Sequence, residues 1–194
     1  APAADKNASA VGTTVDYQTI NDLTVASGVF FSDDDVKSNA SVVVLGSTVA
    51  TDLFGTGQAV GQNIRIRDQS YRVVGVLQEK GSSGFGSVDD RALLPITTAY
   101  QHFPNVRTPD GNAYAVSLVT VSVTNKDDLT AVESRIGALL RERHRLEADG
   151  SEDDFQVFNQ ASLLSTLTTV TTILTVFLAA IAGISLLVGG IGIM

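Results

Sequence analysis

The chain has 194 residues, with 13 Lys and Arg against 21 Asp and Glu, a formal net charge of −8 and no cysteine. The missing cysteine excludes a disulfide scaffold, a thiolate zinc site, an iron–sulfur cluster and a cysteine nucleophile. The acidic balance argues against a nucleic-acid partner, because phosphate binding needs a basic stripe, and Arg141, Arg143 and Arg145 are diluted by Glu142 and Glu147.

Taken in chain order, the first segments predict strands over Thr14 to Ile20 and Ser41 to Leu45, with Asp33, Asp34 and Asp35 between them read as a helix cap. These aspartates lack the alternating oxygen ligands and distal Glu of a calcium loop. Gly46 and Ser47 open a short predicted helix through Leu53 and Phe54, closed by Gly55. Asn63 to Arg67 and Tyr71 to Leu77 predict a hairpin, with Ile64 and Ile66 facing inward and Arg65 and Arg67 outward. A glycine–serine loop follows from Lys80 to Asp90, then a short strand from Arg91 to Ile96 that Pro95 confines to an edge or an end. A short helix through Tyr100 and Phe103 comes next.

From Ala115 onward the pattern predicts a β–α–β unit. Val119, Val121 and Val123 alternate with Thr120 and Ser122 as in a half-buried strand. Asp127 or Asp128 caps a predicted helix to about Leu146, with Leu129, Val132, Ile136, Leu139, Leu140 and Leu146 forming its apolar stripe. Gly150 ends that excursion, and Phe155 to Phe158 is expected to return as a strand.

The tail differs in kind. All formal charge lies at or before Asp154, so the last 40 positions carry none. A helix over Ala161 to Met194 would extend about 51 Å, against a bilayer core about 30 Å thick. The excess divides the tail into a Ser- and Thr-rich stalk, Ala161 to Thr172, and a membrane span, Ile173 to Met194. Ala179 with Gly183, and Ser185 with Gly189, are small residues four apart, the spacing that lets a second membrane helix approach closely. The approach to the span is Ser151-Glu152-Asp153-Asp154, and this scarcity of positive charge favours a soluble body outside the cytoplasm. No basic flank follows the apolar run, so the chain reads as a piece of a longer protein.

Catalytic motifs are lacking. Gly55-Thr56-Gly57 to Gly61 has no Lys-Ser/Thr of a phosphate loop, and reads as a turn. Gly81, Gly84, Phe85 and Gly86 belong to a loop that reads first as a structural turn and, as a functional site, suits partner contact better than chemistry. His102 and His144 stand far apart, each without a neighbouring His or Cys, and read as surface or packed histidines. Asn7-Ala8-Ser9 and Asn39-Ala40-Ser41 match a glycosylation sequon, which carries meaning only in a eukaryotic source.

An ordered set of segments carries further information. It comprises Gly12-Thr13-Thr14 to Tyr17, Ala26 to Phe31, Ser41 to Gly46, Leu53-Phe54-Gly55, Val60 to Ile64 and Tyr71 to Leu77. The loop from Gly81 to Asp90 with Leu94-Pro95, then Leu140 to His144, Asp153-Asp154-Phe155 and Ile184 to Met194 complete it. In this order they resemble the MacB-type family of ABC transporter permeases, relatives of the FtsX-like and lipoprotein-releasing permeases. The resemblance implies an α+β extracytoplasmic core domain over residues 1–160, incomplete at its N-terminus, a stalk helix at 161–172, and a second transmembrane helix at 173–194, cut at its C-terminus. It also implies a non-catalytic permease region in the bacterial plasma (inner) membrane. Its expected partners are an ABC ATPase domain or subunit holding ATP and Mg, a second permease copy, a periplasmic adaptor protein and membrane lipid. Such permeases are thought to couple ATP-driven closure of their helices to the external domain and so expel substrate. Two rival readings are an FtsX-like or lipoprotein-releasing relative, whose external domain regulates a cell-wall enzyme or extracts lipoproteins, and an anchored hydrolase using His102 or His144.

Overall fold

Among the described residues, eight short strands or helices precede residue 80. The computed structural model describes residues 7–83, 86–103 and 114–192, and the chain divides into two compact units, 1–122 and 123–194. In the first unit the elements run β1 (Ser9–Thr13), α1 (Asp16–Ile20), β2 (Val25–Gly28), α2 (Asp33–Lys37), β3 (Val42–Leu45) and α3 (Ser47–Phe54). They continue with β4 (Asn63–Ile66), β5 (Gln69–Leu77), β6 (Ser82–Ser83), β7 (Gly86–Ser87), β8 (Arg91–Pro95) and α4 (Ile96–His102).

The main sheet is mixed, in the order β1-β8-β3-β5-β2, with β4 also pairing β5. β1 and β8 are parallel, as are β3 and β5, while β3 runs antiparallel to β8, and both β2 and β4 run antiparallel to β5. Both faces are covered, so β3 reads as an unbroken apolar run, Val42-Val43-Val44-Leu45, every residue buried. Val43, Leu45, Tyr71, Val73 and Leu94 pack with Val49 and Ala50 of α3 on one face. Val42, Val44, Leu93 and Leu77 pack with Leu23 and Phe31 on the other.

A bulge sets this division. Val43 lies opposite Val73 but Val44 lies opposite Gly75, so β5 carries an extra residue there and its later side chains change face. Val73 therefore belongs to the first core and Leu77 to the second. The bulge brings β2 onto β5 so closely that a Cβ on Gly75 would lie 2.3 Å from the Val29 carbonyl oxygen. One on Gly28, whose φ is +79°, would lie 2.2 Å from the Val74 carbonyl oxygen.

Several expectations hold in detail. β3, α3 and the β4–β5 hairpin occur as read, and Pro95 is the last residue of β8, where no further ladder bond is required of it. The Asp33–Asp35 run opens α2, with Ser32 as its N-cap and Asp35 completing a capping box. The segment after α3 is a turn: the Gly55 N–H donates to the Thr51 carbonyl at 2.7 Å and the Gly61 N–H to that of Val73 at 2.8 Å.

Thr14 to Ile20 is a correction. The strand lies earlier, at Ser9–Thr13, and Asp16–Ile20 is a single helical turn. The β-branched composition suggested a strand, but Val15 and Tyr17 are held against the second core, and tertiary packing overrides local preference. β1 itself (Ser-Ala-Val-Gly-Thr) has weak strand propensity. Gly12 is needed there because a Cβ would meet the Cβ of Ala99 in α4 at 2.4 Å.

In the second unit, a 3-10 turn at Lys126–Asp128 leads into α5 (Leu129–His144), and α6 spans Gln160–Gly192. Asn125 caps the turn by accepting from the Asp127 N–H, so neither Asp127 nor Asp128 caps α5 through its side chain. Only the helix of the expected β–α–β unit is present. Neither 119–123 nor 155–158 is a strand, since alternation reports a two-faced extended segment but supplies no pairing partner. Val119 and Val121 are exposed. Residues 153–159 still alternate, Asp153, Phe155, Val157 and Asn159 being half-buried and Asp154, Gln156 and Phe158 exposed.

Candidate functional site

Two features stand out for function, the faces of α6 and the segments anchored to its root and to the glycine–serine loop. α6 is one uninterrupted helix of 33 residues. Its window Leu167–Leu186 is long and apolar enough to cross a membrane, with a mean hydropathy of 2.1 and no buried residue. That window begins ahead of the expected span, within the Thr-rich stretch. The threonines do not oppose an apolar setting, because their hydroxyls are satisfied within the helix. Thr171 Oγ1 donates to the Leu167 carbonyl at 2.9 Å, Thr172 Oγ1 to that of Thr168 at 2.9 Å, and Thr175 Oγ1 to that of Thr171 at 2.8 Å.

At about 100° per residue, Thr168, Thr172, Thr175, Ala179 and Gly183 fall within about 40° of one line along the helix. Val170, Ile173, Phe177, Ile181 and Ile184 project from the opposite side, all exposed. A small, hydroxyl-bearing face thus backs onto a bulky one, the arrangement by which membrane helices approach a neighbour while presenting large side chains to lipid. Of the four small residues singled out in the sequence, Ala179 and Gly183 share this face. Ser185 and Gly189 lie about 120° around the helix from them, so one straight partner cannot meet all four. Sequence reasoning missed the threonines because they were assigned to the stalk; their i, i+4, i+7 spacing with Ala179 was the available signal.

The loop expected to contact partners is a short hairpin, Ser82 pairing Ser87 and Ser83 pairing Gly86, with Gly81 at φ +80° before it. Gly84 and Phe85 lie outside the described residues. Its root is fixed by Asp89, which is 5% exposed and accepts from the Lys80 N–H at 3.0 Å and the Gly81 N–H at 2.8 Å. Burial alone would raise the Asp89 carboxyl, but the two backbone N–H bonds and the hydroxyls of Ser87 and Ser47 outweigh it and hold it below the usual carboxylate range. The Asp89 carbonyl also receives the N–H groups of Thr48 and Val49 at the start of α3. The Lys80 ammonium donates to the carbonyls of Asn21 and Asp22. Asp89 therefore ties the hairpin root to α3, a role no sequence motif announced.

Each histidine has a side-chain partner. His102 Nδ1 lies 2.9 Å from the buried Tyr71 hydroxyl, whose pKa burial raises. His144 Nδ1 lies 2.7 Å from Asp154 Oδ1. Among the described residues no group of three or more His, Asp or Glu is placed to hold a metal.

At the root of α6, the Arg141 guanidinium grips Asp153 with two bonds, Nε to Oδ1 at 2.8 Å and Nη2 to Oδ2 at 2.6 Å. The bond from Arg141 holds Asp153 below the ordinary carboxylate range. Asn159 Nδ2, just before α6, donates to Glu133 Oε2 of α5 at 3.3 Å.

A mixed α+β body is followed by a helix long and apolar enough to cross a membrane. Residues 2–139 match the family described as MacB-like periplasmic core domain, and the chain belongs to that family. It is 38% identical over 189 residues to the macrolide export ATP-binding/permease protein MacB of Bdellovibrio bacteriovorus, covering 97% of this chain and 28% of that protein. It is 34% identical over 172 residues to the pyoverdine export ATP-binding/permease protein PvdT of Pseudomonas entomophila, covering 88% of this chain and 24% of that one. The chain thus spans about a quarter of the length of these relatives. The fold resembles the periplasmic region of MacB from Actinobacillus actinomycetemcomitans, with a TM-score of 0.59, 18% identity, and coverage of 82% of this chain and 64% of that one. It also resembles the extracellular domain of the ABC-type transporter YknZ from Gram-positive bacteria, with a TM-score of 0.57, 23% identity, and coverage of 71% and 65%.

Proposed function

We propose that this region is the external domain and second membrane helix of a bacterial inner-membrane ABC exporter, and that α6 carries ATP-driven motion from the membrane to the external domain. The observation that supports this most is the continuity of α6. Its 33 residues extend about 50 Å, about 20 Å more than a bilayer core, and run without interruption from the return segment beside α5. An uncharged helix with one close-packing face is suited to moving against a neighbour as a rigid element. The small face from Thr168 to Gly183 is assigned to a second permease copy, and the Gly81–Gly86 hairpin to an external partner such as an adaptor. ATP and Mg act in an ABC ATPase domain or subunit, so no catalysis is assigned to this region.

The macrolide and pyoverdine named for the relatives support an exported small molecule as cargo. Their export names also support an exporter over a cell-wall regulator. The complete transporter in proteoliposomes should move a macrolide or a siderophore only with ATP and Mg, and an ATPase-dead version should move neither. Absence of ATP-driven movement, together with stimulation of a cell-wall hydrolase by the external domain, would replace export with regulation.

A further inference from the structure

We propose that Arg141 and Asp153 are positioning residues that lock the return segment onto α5, so that α5 and α6 move as one arm. This rests on the export reading above and adds to it the place where motion leaves the membrane helix. A free connection of the length that joins His144 to Gln160, about 15 residues, would fluctuate over roughly 20 Å and absorb a helix shift of a few ångströms. The connection is not free.

It is fastened to α5 at four points, one of them the contact of His144 with Asp154 at 2.7 Å. Near the helix end, Arg145 takes a left-handed conformation and the Leu146 N–H donates to the Arg141 carbonyl at 2.9 Å, turning the chain back. Arg141 then holds Asp153 through both carboxylate oxygens, while its guanidinium lies over the Phe155 ring at 5.9 Å. A bidentate pair fixes orientation as well as distance, which a single contact does not. Gly150 fits this arrangement, because a Cβ there would lie 2.8 Å from Arg141 Nη2. About two turns nearer the α5 start, Asn159 reaches Glu133 immediately before α6. The charged pair is the component that fixes both directions, and along the return segment it lies between the Leu146 and Asn159 fastenings.

The test uses the complete transporter in proteoliposomes and reads export per ATP hydrolysed. Asp153→Arg should lower that ratio about tenfold, an ordinary size for a coupling loss, with ATP hydrolysis nearly unchanged. The reversed pair, Arg141→Asp with Asp153→Arg, should recover most of it. A reversed pair no better than the single variant, or a single variant with an unchanged ratio, would overturn the assignment. A second readout guards against misfolding and against failure of the export reading. Spin labels at Ala138→Cys and Leu167→Cys should give a narrow distance distribution that is the same with and without ATP. Asp153→Arg should broaden it, and an unchanged distribution would overturn the clasp even if no export were detected. If the wild type moved nothing but the distribution broadened, the clasp would stand and the export reading would fall.

Discussion

Gly75→Val should be the most damaging single substitution in the external body, removing about 4 kcal/mol or more of a stability that for such domains is about 5–15 kcal/mol. The Cβ would stand 2.3 Å from a backbone oxygen of Val29, and backbone cannot swing aside as a long side chain can. Overpacking alone costs about 1–3 kcal/mol. Relief requires β2 to leave β5, which loses its ladder bonds and uncovers Leu77, at 2% exposure, together with Phe31. Gly61→Ala supplies the contrast. That glycine also has a positive φ, +88°, but nothing lies within 4 Å of its Cβ position, so only conformational strain of about 1 kcal/mol is expected. Urea-dependent pulse proteolysis of the membrane-embedded protein measures both, with a midpoint collapse for the first and a small shift for the second.

Asp89→Asn should be the next largest, costing about 2–3 kcal/mol, because one carboxylate oxygen is replaced by a donor facing a backbone N–H that then has no acceptor. The effect depends on pH in a stated direction. Asp89 titrates lower in the folded protein than in the unfolded chain, so its contribution is complete above the ordinary carboxylate range and is lost as pH falls through the lowered value. The gap between wild type and variant should therefore be widest near neutrality and narrow on acidification. Loosening should appear first at the hairpin root, as faster hydrogen exchange at Lys80 and Gly81. A gap that stayed constant with pH would show that the ionised carboxylate is not what holds the root.

Much of the fold was legible where local chemistry and packing agree. The Val42–Leu45 run, the alternating hairpin, Gly55 after α3 and Pro95 at the end of β8 each carry their own physical signal. The readings fail where distance along the chain decides. β1 exists because β8 lies beside it, and Ser9–Thr13 contains little that favours a strand by itself. Thr14–Ile20 has strand composition but is one helical turn held by the core. Gly75 inside a strand was a readable sign of a bulge, and the contact it serves with Val29 is long-range. The same holds for the site. That Ala179 and Gly183 share a helix face could be read from spacing, but separating them from Ser185 and Gly189 needed helix geometry, and the two bonds from Arg141 to Asp153 needed the chain to turn back at Arg145.

The central claim, that the external body is driven from the membrane, is tested most directly by one distance. A spin label at Thr56→Cys, exposed in the turn after α3, would report the separation of the external bodies of two copies in the complete transporter. Mechanical coupling predicts one distance distribution without nucleotide and a displaced one in the ATP-trapped state, reversed when nucleotide is removed. The same distribution in both states, in protein that hydrolyses ATP and exports, would contradict it.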